Sequence, residues 1–282
     1  MNLEDLVDLA KDGDSQALEE LITGIQDRIY GLALRMLGFP EDARDATQEI
    51  LIRVVTHLGS YRRESAFMTW AYRVAANYLL NTRKRMAEEK ANAIRFGEVE
   101  DWRTSHTSDD QSQVQPDRAL LVEEMRLVCL QFVLLFMDRD VRLAFILSEA
   151  FEVSSAEGAR IMDVSPEVYR QRLSRGRRRI REFLSRQCSL VNQANVCRCD
   201  DLVDYGIDHG WINPQNLRLA DHPCRTQQPG SAREMLGELK EAQRVTELYR
   251  SYPEFAAPDA IVDILKNLVA SGRFDVLTSS SE

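Results

Sequence analysis

The sequence predicts an all-α protein: two small helical domains followed by a loop-rich, partly helical C-terminal extension. Three observations carry that prediction. Apolar residues recur at steps of three and four through most of the chain, and no segment alternates with the two-residue rhythm of a strand. Two blocks, 67–85 and 165–183, oppose such an apolar stripe to a basic, hydrogen-bonding face and end in runs of Arg or Lys. Between them, 88–116 loses periodicity and gains Ser, Thr, Asp and Gln, the composition of a flexible linker.

The elements follow in order. Asp14, Ser15, Gln16 and Ala17 mark a helix start, and Leu18, Leu21, Ile22, Ile25, Ile29 and Leu32 keep a helical period. Gly38, Phe39 and Pro40 break that helix. Residues 41–58 resume it, with Ala43, Ala46, Ile50, Leu51, Val54, Val55 and Leu58 on one face. A short basic loop at 59–65 leads into a helix over 66–85. Residues 117–183 are helical again, 185–229 are rich in loops, and 231–252 and 258–272 read as amphipathic helices. The expected divisions are 1–86 and 118–186 as domains, 87–117 as linker and 187–282 as extension.

Bulk properties narrow the function. The 282 residues are 44% apolar and 29% charged, an ordinary soluble composition, and the net charge of −9 excludes indiscriminate coating of nucleic acid. It does not exclude a local basic patch. No apolar run approaches a membrane span and the acidic N-terminus is unlike a signal peptide, so the cytoplasm is the expected compartment. No nucleophile–base pair, phosphate-cradling glycine loop or carboxylate cage supports an enzyme.

On the helix over 66–85, Phe67, Ala71, Val74, Ala75, Tyr78 and Leu79 fall at core spacing. Trp70, Arg73, Asn77, Asn81 and Lys84 fall on another face. An aromatic ring among amides and cations suits single-stranded DNA, where bases stack and phosphates are held by charge. Tyr61, Arg62 and Arg63 in the preceding loop add to this. A solvated face with a half-buried Trp would show the same pattern. One helix earlier, Asp42, Asp45, Gln48 and Glu49 offer an acidic and amide patch to a partner, or to water alone.

The second block reads as a helix-turn-helix: a short helix over 154–162, a turn at 163–165 and a second helix over 166–183. Ser165 is a good N-cap and Pro166 fits the first helical position. Tyr169, Leu173, Gly176 and Ile180 form a buried seam. Opposite lie Glu167, Arg170, Gln171, Ser174, Arg175 and Arg178, as a recognition helix requires. A merely Arg-rich surface helix is the alternative.

Asp42, Ala43, Asp45, Gln48 and Glu49, followed by Phe67, Thr69, Trp70, Arg73, Asn77 and Arg83, resemble region 2 of bacterial sigma factors, in the short form of the extracytoplasmic function (ECF) group. Arg142, Phe145, Leu147, Glu157, Ala159, Ile161, Ser165, Arg172, Leu173 and Arg175 resemble sigma region 4. The resemblance implies a non-enzymatic partner of core RNA polymerase that directs promoter recognition and transcription initiation. It implies that Asp42, Asp45, Gln48 and Glu49 dock on the β′ clamp helices, and that the β flap and an anti-sigma factor are further partners. The minus-ten element would be opened, and a flipped base captured, by Tyr61, Arg62, Arg63, Phe67, Trp70, Arg73, Asn77, Asn81 and Lys84. The minus-thirty-five element would be read by Glu167, Arg170, Gln171, Arg172, Ser174, Arg175 and Arg178. Four positions depart from the family pattern: Ala71 for Leu, Glu152 for Gly, Gly158 for Ile or Val, and Asp163 for the turn Gly. Gly158 is expected to weaken its helix by about 1 kcal/mol relative to Ala. A free-standing helix-turn-helix regulator is the alternative function, and a metal or thiol sensor a third.

The extension holds Cys188, Cys197, Cys199, His222 and Cys224. Two thiols one residue apart and a later His/Cys pair fit a tetrahedral zinc or other metal site, a redox pair, or plain packing. Cys129, inside the apolar run 127–136, reads as a buried structural thiol. The acidic extension is also expected to cover a basic DNA-binding face until a signal releases it.

Overall fold

The computed structural model describes residues 2–82, 116–221, 236 and 239–258. Its first bundle comprises α1 (Leu3–Lys11), α2 (Ser15–Leu37), α3 (Pro40–Thr56), a 3-10 turn at Leu58–Ser60 and α4 (Phe67–Asn81). Each start has a chemical cause. The Asp14 carboxylate accepts the N–H groups of Gln16 and Ala17 to open α2. Gly38, at φ 96°, closes α2 in a conformation that costs glycine little, and Pro40 occupies the first turn of α3. Ala66 precedes α4 and has no capping side chain, but Glu4 of α1 accepts the Phe67 N–H at 3.0 Å. The stripes expected on α2 and α3 are buried throughout.

The second bundle comprises α5 (Pro116–Leu135), α6 (Arg139–Glu149), α7 (Ser155–Ile161) and α8 (Pro166–Gln187). Ser154 and Glu157 form a reciprocal capping box on α7. Ser165 accepts the Val168 N–H at 3.2 Å to start α8, which runs four residues past the expected end. Beyond it lie a 3-10 turn at Asp200–Leu202, α9 (Val203–Asp208) and α10 (Glu241–Arg250). Among the described residues the one strand-like feature is an isolated parallel bridge between Cys188 and Cys197.

The two bundles, expected to be tethered modules, are packed onto one another and share a hydrophobic core. Arg142 of α6 is buried; its guanidinium donates to the Met36 carbonyl of α2 at 2.5 Å and to those of Leu135 and Met137 at 3.0 and 2.9 Å. Gln131 donates to the Arg35 carbonyl at 2.8 Å, and Arg139 bonds the carbonyls of Leu79 and Thr82 at the end of α4. Tyr72 meets Phe151 edge-on at 5.6 Å. Helix α4 therefore buries Tyr72 and Ala76 as well as Phe67, Ala71, Ala75 and Leu79. The core stripe read from the sequence omitted Tyr72, whose cover, Phe151, comes from the other bundle, and it included Val74 and Tyr78, which are only half-buried.

The extension crosses both bundles. Glu124 of α5 accepts the N–H groups of Arg218, Leu219 and Ala220 at 2.8, 2.9 and 2.6 Å. The Tyr249 hydroxyl donates to the Leu130 carbonyl, and its ring packs edge-on against Phe145 of α6 at 5.1 Å. Arg35 of α2 donates to the carbonyls of Tyr252 and Pro253, and Asp27 accepts the Ala257 N–H at 2.7 Å. The expected linker over 87–117 lies outside the described residues except for Pro116 and Asp117, which open α5, and most of the helix over 258–272 lies outside them too, as do Arg83, Lys84, His222 and Cys224.

Candidate nucleic-acid and polymerase interface

On α3, Asp45 is exposed and Asp42, Gln48 and Glu49 are half-buried, so the four share one accessible side of the first bundle. Local ion pairs set the rotamers: Asp45 lies 3.5 Å from Arg44, and Glu49 accepts from Arg53 at 3.1 Å. Exposed pairs of this kind are worth roughly 0–1 kcal/mol and yield readily to a competing partner.

The face of α4 is built on an aromatic cluster. Trp70, half-buried, stacks on Phe67 with centroids 5.5 Å apart and leans on Tyr61 at 5.7 Å. Phe67 and Tyr61 are buried, and the Tyr61 hydroxyl donates to the Ser65 carbonyl at 2.7 Å. These two rings, placed among the DNA contacts from the sequence, thus stand beneath Trp70 as its support in this arrangement. Arg62 is exposed, whereas Arg63 is tied to α1 through the Glu4 carbonyl and the Asp8 carboxylate. Asn77 and Asn81 are exposed, with the Asn81 amide donating to the Asn77 carbonyl. Arg73 points at the second bundle and pairs with Asp163 at 3.1 Å, in the turn of the helix-turn-helix.

Helix α8 sorts its arginines by face. Glu167, Arg170, Gln171, Ser174, Arg175 and Arg178 are exposed along one stripe. Three others turn back onto acidic residues at the two ends of α6 and its N-cap: Arg172 to Asp140 at 3.0 Å, Arg177 to Glu149 at 2.5 Å and Arg179 to Asp138 at 3.4 Å. Arg172, grouped with the base readers from sequence, lies on this structural side. Its step from Arg170 and Gln171 was the available signal, since it falls off their three-and-four spacing.

Comparison with known proteins decides what this two-sided arrangement belongs to. Residues 21–88 match the model of sigma-70 region 2, and residues 127–180 match that of sigma-70 region 4. The ECF RNA polymerase sigma-E factor of Escherichia coli K12 is 31% identical over 179 residues, spanning 62% of this chain and 90% of that protein. The chain belongs to the ECF group of RNA polymerase sigma factors. Also similar are the RNA polymerase sigma-H factor of Pseudomonas aeruginosa, 29% identical across 64% of this chain and 93% of that protein, and the ECF sigma factor SigW of Bacillus subtilis, 27% identical across 65% and 97%. The sigma factor binds core RNA polymerase and directs promoter recognition and transcription initiation; it is not an enzyme. The alternative of a free-standing regulator is thereby set aside.

The sigma factor's departures from its family have physical counterparts. Glu152 and Asp163, each standing where the family carries Gly, adopt φ of 54° and 53°. The backbone has kept the left-handed turn that glycine normally serves. At Gly158 an added Cβ would lie 2.2 Å from the Tyr169 ring. Tyr169 occupies that space and bonds Ser148 at 2.8 Å and the Ala144 carbonyl at 3.2 Å; burial raises its hydroxyl's pKa, keeping it a donor. The expected weakness at Gly158 is therefore the room that Tyr169 uses.

Beyond the two matched family regions, Cys188, Cys197 and Cys199 are partly buried and in no disulfide, as is Cys129 on α5 within the second of them. Among the described residues no group of three or more His, Cys, Asp or Glu side chains could hold a metal ion. No described helix is long and apolar enough to cross a membrane.

Proposed function

We propose that the packed arrangement is the resting form of this initiation factor, and that it must open to engage a promoter. Opened, Asp42, Asp45, Gln48 and Glu49 dock on the β′ clamp helices and the second bundle sits on the β flap. Trp70, Arg62, Arg73, Asn77 and Asn81 then capture the melted minus-ten strand, while Glu167, Arg170, Gln171, Ser174, Arg175 and Arg178 read the minus-thirty-five duplex. It acts where core polymerase acts, in the cytoplasm.

One observation carries this reading. Arg73, on the strand-capturing face, is held by Asp163 in the turn of the other DNA-binding module. The two promoter elements lie about 25 base pairs apart, or about 85 Å along the duplex. Helices in side-chain contact cannot span that distance. The C-terminal extension favours the closed form because its carbonyls and apolar residues bind α2, α5 and α6 together.

Asp163→Gly tests the proposal without disturbing the turn, because glycine accommodates φ near +53° while the ion pair to Arg73 is lost. We expect the full-length variant to give more run-off transcript with core polymerase at limiting factor, by up to about fivefold, the scale of one exposed ion pair. Unchanged transcript and unchanged distance between labels on α4 and α8 would reject the resting-form reading.

A further inference from the structure

Among the described residues three large apolar side chains are exposed: Leu9, Val168 and Val196. Leu9 belongs to α1 and Val196 to the loop before Cys197. Val168 is different, because it stands in the first turn of α8 at 37% exposure. A recognition helix sends the residues of its N-terminal turns to the base edges. Single exposed apolar residues are ordinary on a surface. This one occupies a position where local chemistry asks for another kind of side chain.

Ser165 caps α8 and its Oγ accepts the Val168 N–H at 3.2 Å, so Val168 is the third helical residue. Glu or Gln at that place returns a bond to the N-cap N–H and completes a capping box. The preceding helix does so: Ser154 caps α7, and Glu157, third in that helix, accepts the Ser154 N–H at 3.4 Å. Valine has no oxygen to return and, being β-branched, is a poorer helix former than either. Helix α8 therefore forgoes half of the box that α7 has, at the end that meets DNA. A position that breaks a local rule without structural return points to function.

The neighbours of Val168 indicate which function. Val168, Gln171 and Arg175 succeed one another at steps of three and four, along one flank of the exposed stripe. Glu167, Arg170, Gln171, Ser174, Arg175 and Arg178 all read through hydrogen bonds or charge. In the major groove the base pairs differ in their donors and acceptors and in one apolar group, the C5 methyl of thymine. Polar side chains gain nothing by covering a methyl; valine does. We propose that Val168 reads a thymine of the minus-thirty-five element by packing against its C5 methyl, adding a specificity determinant to the residues that hydrogen-bond. This rests on α8 reading that duplex. The sequence reading passed over Val168 because it looked for donors and acceptors alone. An uncharged residue adds nothing to phosphate attraction, so its effect is confined to one base pair and is indifferent to salt.

The test uses holoenzyme assembled from the full-length chain and core polymerase. Promoter fragments randomised across the upstream element are selected for binding, and the preferred duplex is measured by fluorescence anisotropy. Each thymine in turn, on either strand, is then replaced by deoxyuridine, which removes the methyl and keeps every hydrogen-bonding atom. One replacement should weaken binding about threefold, the scale of covering one methyl group, with the same ratio at low and high salt. Val168→Gln completes the capping box, so the variant should melt no lower than the parent and should bind the thymine and deoxyuridine duplexes equally. Equal binding of every deoxyuridine duplex by the parent overturns the proposal, as does a preferred element without thymine. So does a V168Q chain that keeps the preference at the same base pair, which would assign the methyl to another side chain. Failure to distinguish the selected duplex from a scrambled one removes the assignment of α8 to the upstream element, and Val168 with it. Discrimination without any deoxyuridine effect removes the role of Val168 alone. The deoxyuridine series on the parent decides the matter even if the variant fails to fold.

Discussion

Gly158 and Tyr169 show how one small residue can set a DNA-binding unit. A Cβ at position 158 would meet the Tyr169 ring at 2.2 Å, and that ring is anchored by Ser148 and the Ala144 carbonyl. Gly158→Ala improves helix propensity yet overpacks the seam, so we expect a net loss of about 1–3 kcal/mol in urea unfolding. The arginines of α8 separate just as cleanly. Arg170 is exposed on the reading stripe, whereas Arg172 is partly buried against Asp140. Arg170→Ala should cost holoenzyme about 1–3 kcal/mol on the minus-thirty-five element, measured by fluorescence anisotropy with matched and scrambled duplexes. Arg172→Ala should leave that affinity unchanged and lower the melting temperature instead.

At the scale of the element, α4 borrows its N-cap from another helix. Glu4 accepts the Phe67 N–H, which no neighbouring side chain serves. Glu4→Ala should destabilise the first bundle by about 1 kcal/mol and speed amide exchange in the first turn of α4, beneath Trp70. The same helix marks how far the sequence was legible. Helix α3 follows its apolar stripe, since it buries one predictable face; α2 does so as far as Ile29, beyond which Tyr30–Leu37 are buried on every side. Helix α4 buries a second face, including Tyr72 and Ala76, because residues some seventy positions away cover it. No local period encodes such a neighbour. The caps at Asp14 and Ser165 were readable, being short-range chemistry.

For the molecule as a whole, two kinds of contact join the bundles. Arg73 and Asp163 meet at the surface with about half or more of each side chain exposed, while Arg142 is buried against carbonyls of both bundles. Salt near 1 M shortens the Debye length to about 3 Å and should weaken the first contact but not the second. We therefore expect an unchanged radius of gyration in small-angle scattering from low to high salt, with faster amide exchange confined to α4 and the 163–165 turn. The carbonyls that grip Arg142 carry no net charge and do not titrate, so acid and counterions act on those bonds less than on the Arg73–Asp163 pair. Separation then has a built-in order, like a book whose fore-edge parts freely while its spine holds. Polymerase, prying from outside with binding energy of its own, is the kind of agent that could break the spine.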